Sequence, residues 1–141
     1  HEFGDKKRVT SELLALSTGC NPVTIRNIIS ALKKDGILSV KSGTGGTSLN
    51  CPLEDITLYR VYMAVEPNAL KKFIGIHGMP SPLCPVGKNI HAVLEMPYGK
   101  MRDSLKACLQ SITMEEIINE YHHTVESASS SLVTRFLSPN S

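Results

Sequence analysis

Residues 21–49 read NPVTIRNIISALKKDGILSVKSGTGGTSL, and this run decides the fold. Asn21 is a strong helix N-cap residue, and Pro22 suits the first helical position, where a backbone N–H would have no partner. Ile25, Ile28, Ile29 and Leu32 recur at intervals of three and four, which gathers them on one apolar stripe. Thr24, Arg26, Asn27, Ser30, Lys33 and Lys34 remain on the opposite, polar and basic face. Gly36, after Asp35, supplies the left-handed residue that commonly ends a helix. Ile37 to Ser42 then reads as a strand, Gly43-Thr44-Gly45-Gly46 as a turn and Thr47 to Leu49 as a short return strand, which together predict a hairpin.

Upstream, Thr10 or Ser11 caps a segment carrying Leu13, Leu14 and Leu16, and Ser17-Thr18-Gly19-Cys20 turns the chain into Asn21. Two helices joined by a short glycine-containing turn make a helix-turn-helix, whose second helix usually enters the DNA major groove. With the hairpin appended, the unit is a winged helix. The fold class expected is mainly α with one small β-hairpin, a winged helix-turn-helix followed by a long dimerisation helix.

The run from Thr10 to Leu49 resembles the Rrf-two family of bacterial regulators. The resemblance rests on Asn-Pro opening the second helix, Leu-Lys-Lys-Asp-Gly-Ile-Leu closing it and Gly-x-Gly-Gly at the wing. It continues through Ile56-Thr57-Leu58 and Ser111-Ile112-Thr113-Met114-Glu115-Glu116-Ile117, to cover roughly residues 9–121. Cys84-Pro85-Val86-Gly87-Lys88 is most similar to a cluster-free, YwnA-type branch of that family. The resemblance implies a DNA-binding homodimer built on the long helix after Cys84. It also implies a helix before the helix-turn-helix, which this sequence does not contain; another segment or subunit would then have to cover Leu13, Leu16, Ile28 and Leu32. The chain opens without Met and reads as an interior fragment or a trimmed chain.

A chain of 141 residues is long enough for one domain with a sizeable core. No run approaches the roughly 20 apolar residues of a membrane helix, and no signal peptide opens the chain, so the expectation is a soluble cytoplasmic protein without membrane contact. The formal net charge of +2 is uneven. Residues 1–50 carry seven basic residues (Lys6, Lys7, Arg8, Arg26, Lys33, Lys34, Lys41) against four acidic ones, a balance of +3, whereas residues 51–141 balance at −1. Positive potential thus sits on the half expected to meet double-stranded DNA, where it supplies salt-sensitive phosphate attraction.

Four segments follow. Residues 1–66 form the winged helix-turn-helix, closed by a helix from about Ile56 to Val65; residues 67–85 are a linker loop, with a brief strand or coil before Gly78-Met79-Pro80-Ser81-Pro82-Leu83-Cys84-Pro85. Residues 86–123 carry the dimerisation helices, since Val86, Ile90, Val93, Leu94, Met101, Leu105, Cys108, Leu109 and Ile112 recur at helical spacing. Pro97-Tyr98-Gly99 predicts a kink or break there. Thr113-Met114-Glu115-Glu116 is a capping box opening a helix that ends near His123. Residues 124–141 form a tail whose serines suggest a tether and whose Leu132, Val133, Phe136 and Leu137 suggest docking.

The chemistry follows from placement. Pro22, Thr24, Arg26, Asn27 and Ser30 lie toward the start of the recognition helix, where Arg can bind guanine and Asn adenine through paired hydrogen bonds. Lys33, Lys34, Lys41, Thr44 and Gly45 suit phosphates or the minor groove, where contacts position rather than specify. The plain alternative for each is a solvated polar side chain. Cys20, Cys51, Cys84 and Cys108 contain no CxxC pair, so they read as reduced thiols. Cluster-binding relatives place three cysteines beside the loop before the long helix, whereas this chain has one, Cys84, which argues against an iron–sulfur cluster. No cofactor is expected and no metal site, although His77, Cys84 and His91 recur every seven residues. Cys84, expected at a helix N-cap with Lys88 one turn on, is the candidate redox sensor, beside the simpler role of a small capping residue. No Ser/His/Asp order, phosphate loop or carboxylate pair supports an enzyme. The function expected is a sequence-specific DNA-binding transcriptional regulator, a homodimeric repressor of unassigned effector; the alternative is a winged-helix protein-interaction module without DNA binding.

Overall fold

The structure is a computed structural model and describes residues 9–41, 46–75, 78, 81 and 83–127. Helix α1 spans Ser11–Thr18. The Thr10 hydroxyl accepts from the Leu13 N–H at 3.2 Å, so Thr10 is the cap. Gly19 ends the helix at φ 68°, a left-handed conformation that glycine adopts without strain. Helix α2 spans Pro22–Lys34, with Asn21 Oδ1 accepting from the Val23 N–H at 2.8 Å and Pro22 at the first position. Gly36, at φ 82°, turns the chain out of α2.

Strands β1 (Leu38–Lys41) and β2 (Gly46–Leu49) pair antiparallel in the register Leu38 opposite Leu49 and Lys41 opposite Gly46. Ser39 and Ser48 face one another with their hydroxyls 2.9 Å apart. Asn50 fastens the base of this wing: its N–H donates to the Ile37 carbonyl at 2.9 Å, and its side-chain amide donates to the Gly36 carbonyl at 3.1 Å. The tip, residues 42–45, lies outside the described residues.

A 3-10 turn at Leu53–Asp55 precedes α3 (Leu58–Val65), which starts two residues later than the sequence predicts because Thr57 is its cap. Helix α4 (Ala69–Phe73) stands where a strand or coil is expected. Its last turn closes through the Ile74 N–H to the Leu70 carbonyl at 2.9 Å. Gly75 then passes so close to the Lys71 carbonyl oxygen that any Cβ would collide with it.

Helix α5 runs unbroken over Pro85–Ser111. At 1.5 Å per residue its 27 residues extend about 40 Å. The expected break at Pro97 does not occur. Pro97 forfeits one backbone hydrogen bond, but side chains hold the helix on both sides of it. Arg102 reaches back over it to Glu95 at 2.8 Å and also donates to the Ile74 carbonyl at 3.2 Å, tying the helix to the end of α4. Helix α6 spans Met114–Ser127, four residues beyond the end predicted. Its capping box is reciprocal: the Glu116 N–H donates to the Thr113 hydroxyl at 3.2 Å, and the Thr113 N–H to the Glu116 carboxylate at 3.1 Å.

The buried apolar residues are few among those described: Ala15, Ile25, Ile37, Ile56 and Ala69. α2 packs on β1 of the wing, and the Ile37 N–H donates to the Leu32 carbonyl at 3.0 Å. α2 packs on α1 and α3, α3 packs on α5, and α6 packs on the 3-10 turn. An isolated bridge of Thr57 with Thr113 closes the arrangement, with the Leu58 N–H on the Ile112 carbonyl at 2.9 Å and the Met114 N–H on the Ile56 carbonyl at 2.8 Å. The chain thus returns from the far end of α5 to the foot of the winged helix.

Candidate nucleic-acid interface

The caps at Thr10 and Asn21 fix where α1 and α2 begin, and the turn at Gly19 sets them against one another, so the outward face of α2 is defined by its buried one. Ile25 is buried; Ile28, Ile29 and Leu32 are half-buried. Thr24, Arg26, Asn27, Ser30, Lys33 and Lys34 are all exposed, while Pro22 is half-buried at the helix start. Both lysines lie in the last turn, where a cation meets the negative end of the helix dipole. Lys41 ends β1, bringing its backbone beside Gly46 across the wing. Thr44 and Gly45 fall outside the described residues.

Arg26 stands apart from the other exposed side chains. With Ile29 it lines a groove of about 280 Å³ whose other walls are Val9 and Thr10 before α1, Ser11 and Glu12 at its start, and Val40, Gly46 and Thr47 from the wing. The Glu12 carboxyl is held below its ordinary range, first by a backbone N–H at the helix start, then by the Ser11 hydroxyl, and in smaller part by the charge of Arg26. Arg26 therefore sits between the recognition helix and the wing, within electrostatic reach of a carboxylate.

Arg60, absent from the sequence-derived candidates, braces this head from α3. Its Nε pairs with Asp35 Oδ2 at 2.9 Å, its Nη2 donates to the Asp35 carbonyl at 3.3 Å, and its Nη1 lies 3.6 Å from Cys51 Sγ. The end of α2 and the exit of the wing are thus held by one guanidinium, whose pKa is raised chiefly by the hydrogen bond to Asp35. No local pattern announces this pairing, because Arg60 and Asp35 are 25 residues apart. Val23 was also missed. Its side chain is 55% exposed in the first turn of α2, and its spacing from Ile25, Ile28, Ile29 and Leu32, which places it opposite their stripe, is the signal that could have found it.

Cys84 occupies the N-cap of α5 as predicted; it is exposed and its side chain makes no capping hydrogen bond. Cys108 is on the same helix about 36 Å farther on at 1.5 Å per residue. Among the described residues no group of three or more His, Cys, Asp or Glu could hold a metal ion. His77 lies outside the described residues, and with it the spacing of His77, Cys84 and His91.

A capped helix-turn-helix, a hydrogen-bonded wing and a basic outward helix face are the parts of a winged-helix transcriptional regulator. The chain belongs to the Rrf2 family, described as iron-dependent transcriptional regulators, whose pattern matches residues 1–120. It is 34% identical over 113 residues to the HTH-type transcriptional regulator YwnA of Bacillus subtilis strain 168, across 80% of this chain and 84% of that one. A transcriptional regulator from Lactobacillus plantarum superposes with a TM-score of 0.65 at 29% identity, over 83% of this chain and 79% of that one. CymR, the global cysteine regulator of B. subtilis, shares the fold at a TM-score of 0.59 and 19% identity, over 84% of this chain and 86% of that one. The family description invokes iron, but the donors among the described residues do not fit a cluster: Cys84 and Cys108 are too far apart to share one.

Proposed function

We propose that this protein is a homodimeric, sequence-specific repressor of transcription, acting in the cytoplasm without an iron–sulfur cluster. The observation that carries the reading is the outward face of α2, where Thr24, Arg26, Asn27 and Ser30 precede Lys33 and Lys34 on a helix capped at its start and flanked by a wing. In the major groove the first four address base edges, while the lysines and the wing residues Lys41, Thr44 and Gly45 meet phosphates or the minor groove. Repression follows if the bound dimer occludes a promoter.

Dimerisation is supported by α5. Val86 is 69% exposed, Val93 64% and Met96 68%, spaced at seven and three residues on one side of the helix, and Met101 adds to them at 52%. A stripe of that kind on a helix about 40 Å long suits a seam between two packed helices. A second copy paired there would present two recognition helices to a pseudo-palindromic site.

Selection of bound duplexes from a random pool tests the proposal. Enrichment of an inverted repeat with half-sites about one helical turn apart, bound with an affinity that falls steeply with salt, is the expected result. Failure to bind any duplex at low salt would instead favour a winged-helix module for protein association. Metal analysis of freshly purified protein should find no stoichiometric iron.

A further inference from the structure

We propose that Val23 is a specificity-determining residue that reads the C5-methyl group of a thymine in each half-site, an inference that rests on the DNA-binding role given above. Along Pro22–Lys34, every other apolar side chain is buried or half-buried, whereas Val23 is 55% exposed. It lies on the same side of the helix as Asn27, one turn on, and Ser30, two turns on, both also exposed. Thus a single apolar group is set into the polar surface that faces the groove.

Its position is held. The Val23 N–H donates to Asn21 Oδ1 at 2.8 Å, and Pro22 restricts the backbone immediately before it. A valine in a helix is nearly confined to one side-chain rotamer, so little conformational entropy is lost when its methyls meet a partner. In the major groove the apolar feature offered by a base pair is the thymine methyl, and small aliphatic side chains are suited to touch it. Val23 and Asn27 have Cβ atoms about 5–6 Å apart, between one and two base-pair steps of about 3.4 Å each. The thymine sensed by Val23 therefore falls within two base pairs of the base addressed by Asn27.

The test uses the whole chain and the duplex enriched from the random pool. Each thymine of a half-site is replaced in turn by deoxyuridine, which removes only the methyl, and affinity is read by fluorescence anisotropy. One position per half-site should weaken binding about fourfold, equivalent to the ~0.8 kcal/mol of one buried methyl. In Val23→Ala that penalty should fall to less than twofold, and Val23→Thr, which keeps the branch and one methyl, should retain part of it. Normal duplex binding with no methyl-sensitive position, or the same penalty in wild type and Val23→Ala, overturns the assignment and leaves the regulator reading intact. Absence of binding to any duplex overturns both.

Discussion

Arg26 lines the groove between α2 and the wing, and its charge is the least of the influences that lower the Glu12 carboxyl. Arg26→Ala is expected to cost about 1–3 kcal/mol in operator affinity and to relax discrimination at a single base position, as read by anisotropy on single-base variants of the selected duplex. Lys33→Ala should act differently, weakening all duplexes alike and lowering the slope of log affinity against log salt by about 1 for each phosphate that is no longer neutralised. At residue scale the polar face was legible from the apolar period of α2 alone. Arg60 was not, because its partners lie in other elements. The Arg60–Asp35 pair is about one-third exposed on both sides, so solvent screens it. Arg60→Ala should therefore shift folding stability by no more than about 1 kcal/mol in urea unfolding. Glu66 is lowered chiefly by its hydrogen bond with Lys72, 2.8 Å away. A depressed carboxyl favours the fold above its ordinary value and loses that support as pH falls through the ordinary range toward the folded value. Glu66→Gln should accordingly reduce the acid-side decline in thermal stability over that window.

The elements whose ends are written locally were legible in the sequence. Asn21-Pro22, Gly36 and the Thr113 capping box each place a helix end through interactions within three residues, and all three stand where expected. Asn21→Ala removes the acceptor for the Val23 N–H and should destabilise the fold by about 0.5–2 kcal/mol in urea titration. Pro97 was misread for the opposite reason. A proline in a helical pattern signals a break, yet the support that carries α5 past it comes from Arg102, bonded to Glu95 two turns back and to the carbonyl at Ile74 on another element. Helix α4 escaped notice because five residues are too few for an apolar period to emerge.

For the whole molecule, the decisive expectation concerns the stripe on α5. Val93→Glu together with Met96→Glu would set carboxylates opposite one another along a paired seam. Sedimentation should then report a monomer whose circular dichroism per residue is retained, while specific duplex binding falls toward the non-specific level, since each remaining head can hold only one half-site. An unchanged dimer would place the seam elsewhere. The sequence disclosed the periodicity of this arm but could not say whether the stripe faced inward; exposure of Val86, Val93 and Met96 answers that for the single chain.

The bridge between Thr57 and Thr113 gives the arm a further property. Two backbone hydrogen bonds gather the 55 intervening residues into a closed ring, at an entropic cost on the order of 4 kcal/mol that the rest of the packing must offset. A ring tolerates one cut where an open string does not. A protease that severs the peptide between α4 and α5 should leave two fragments that co-migrate on a sizing column, separate only in denaturant, and melt with a midpoint that depends on their concentration.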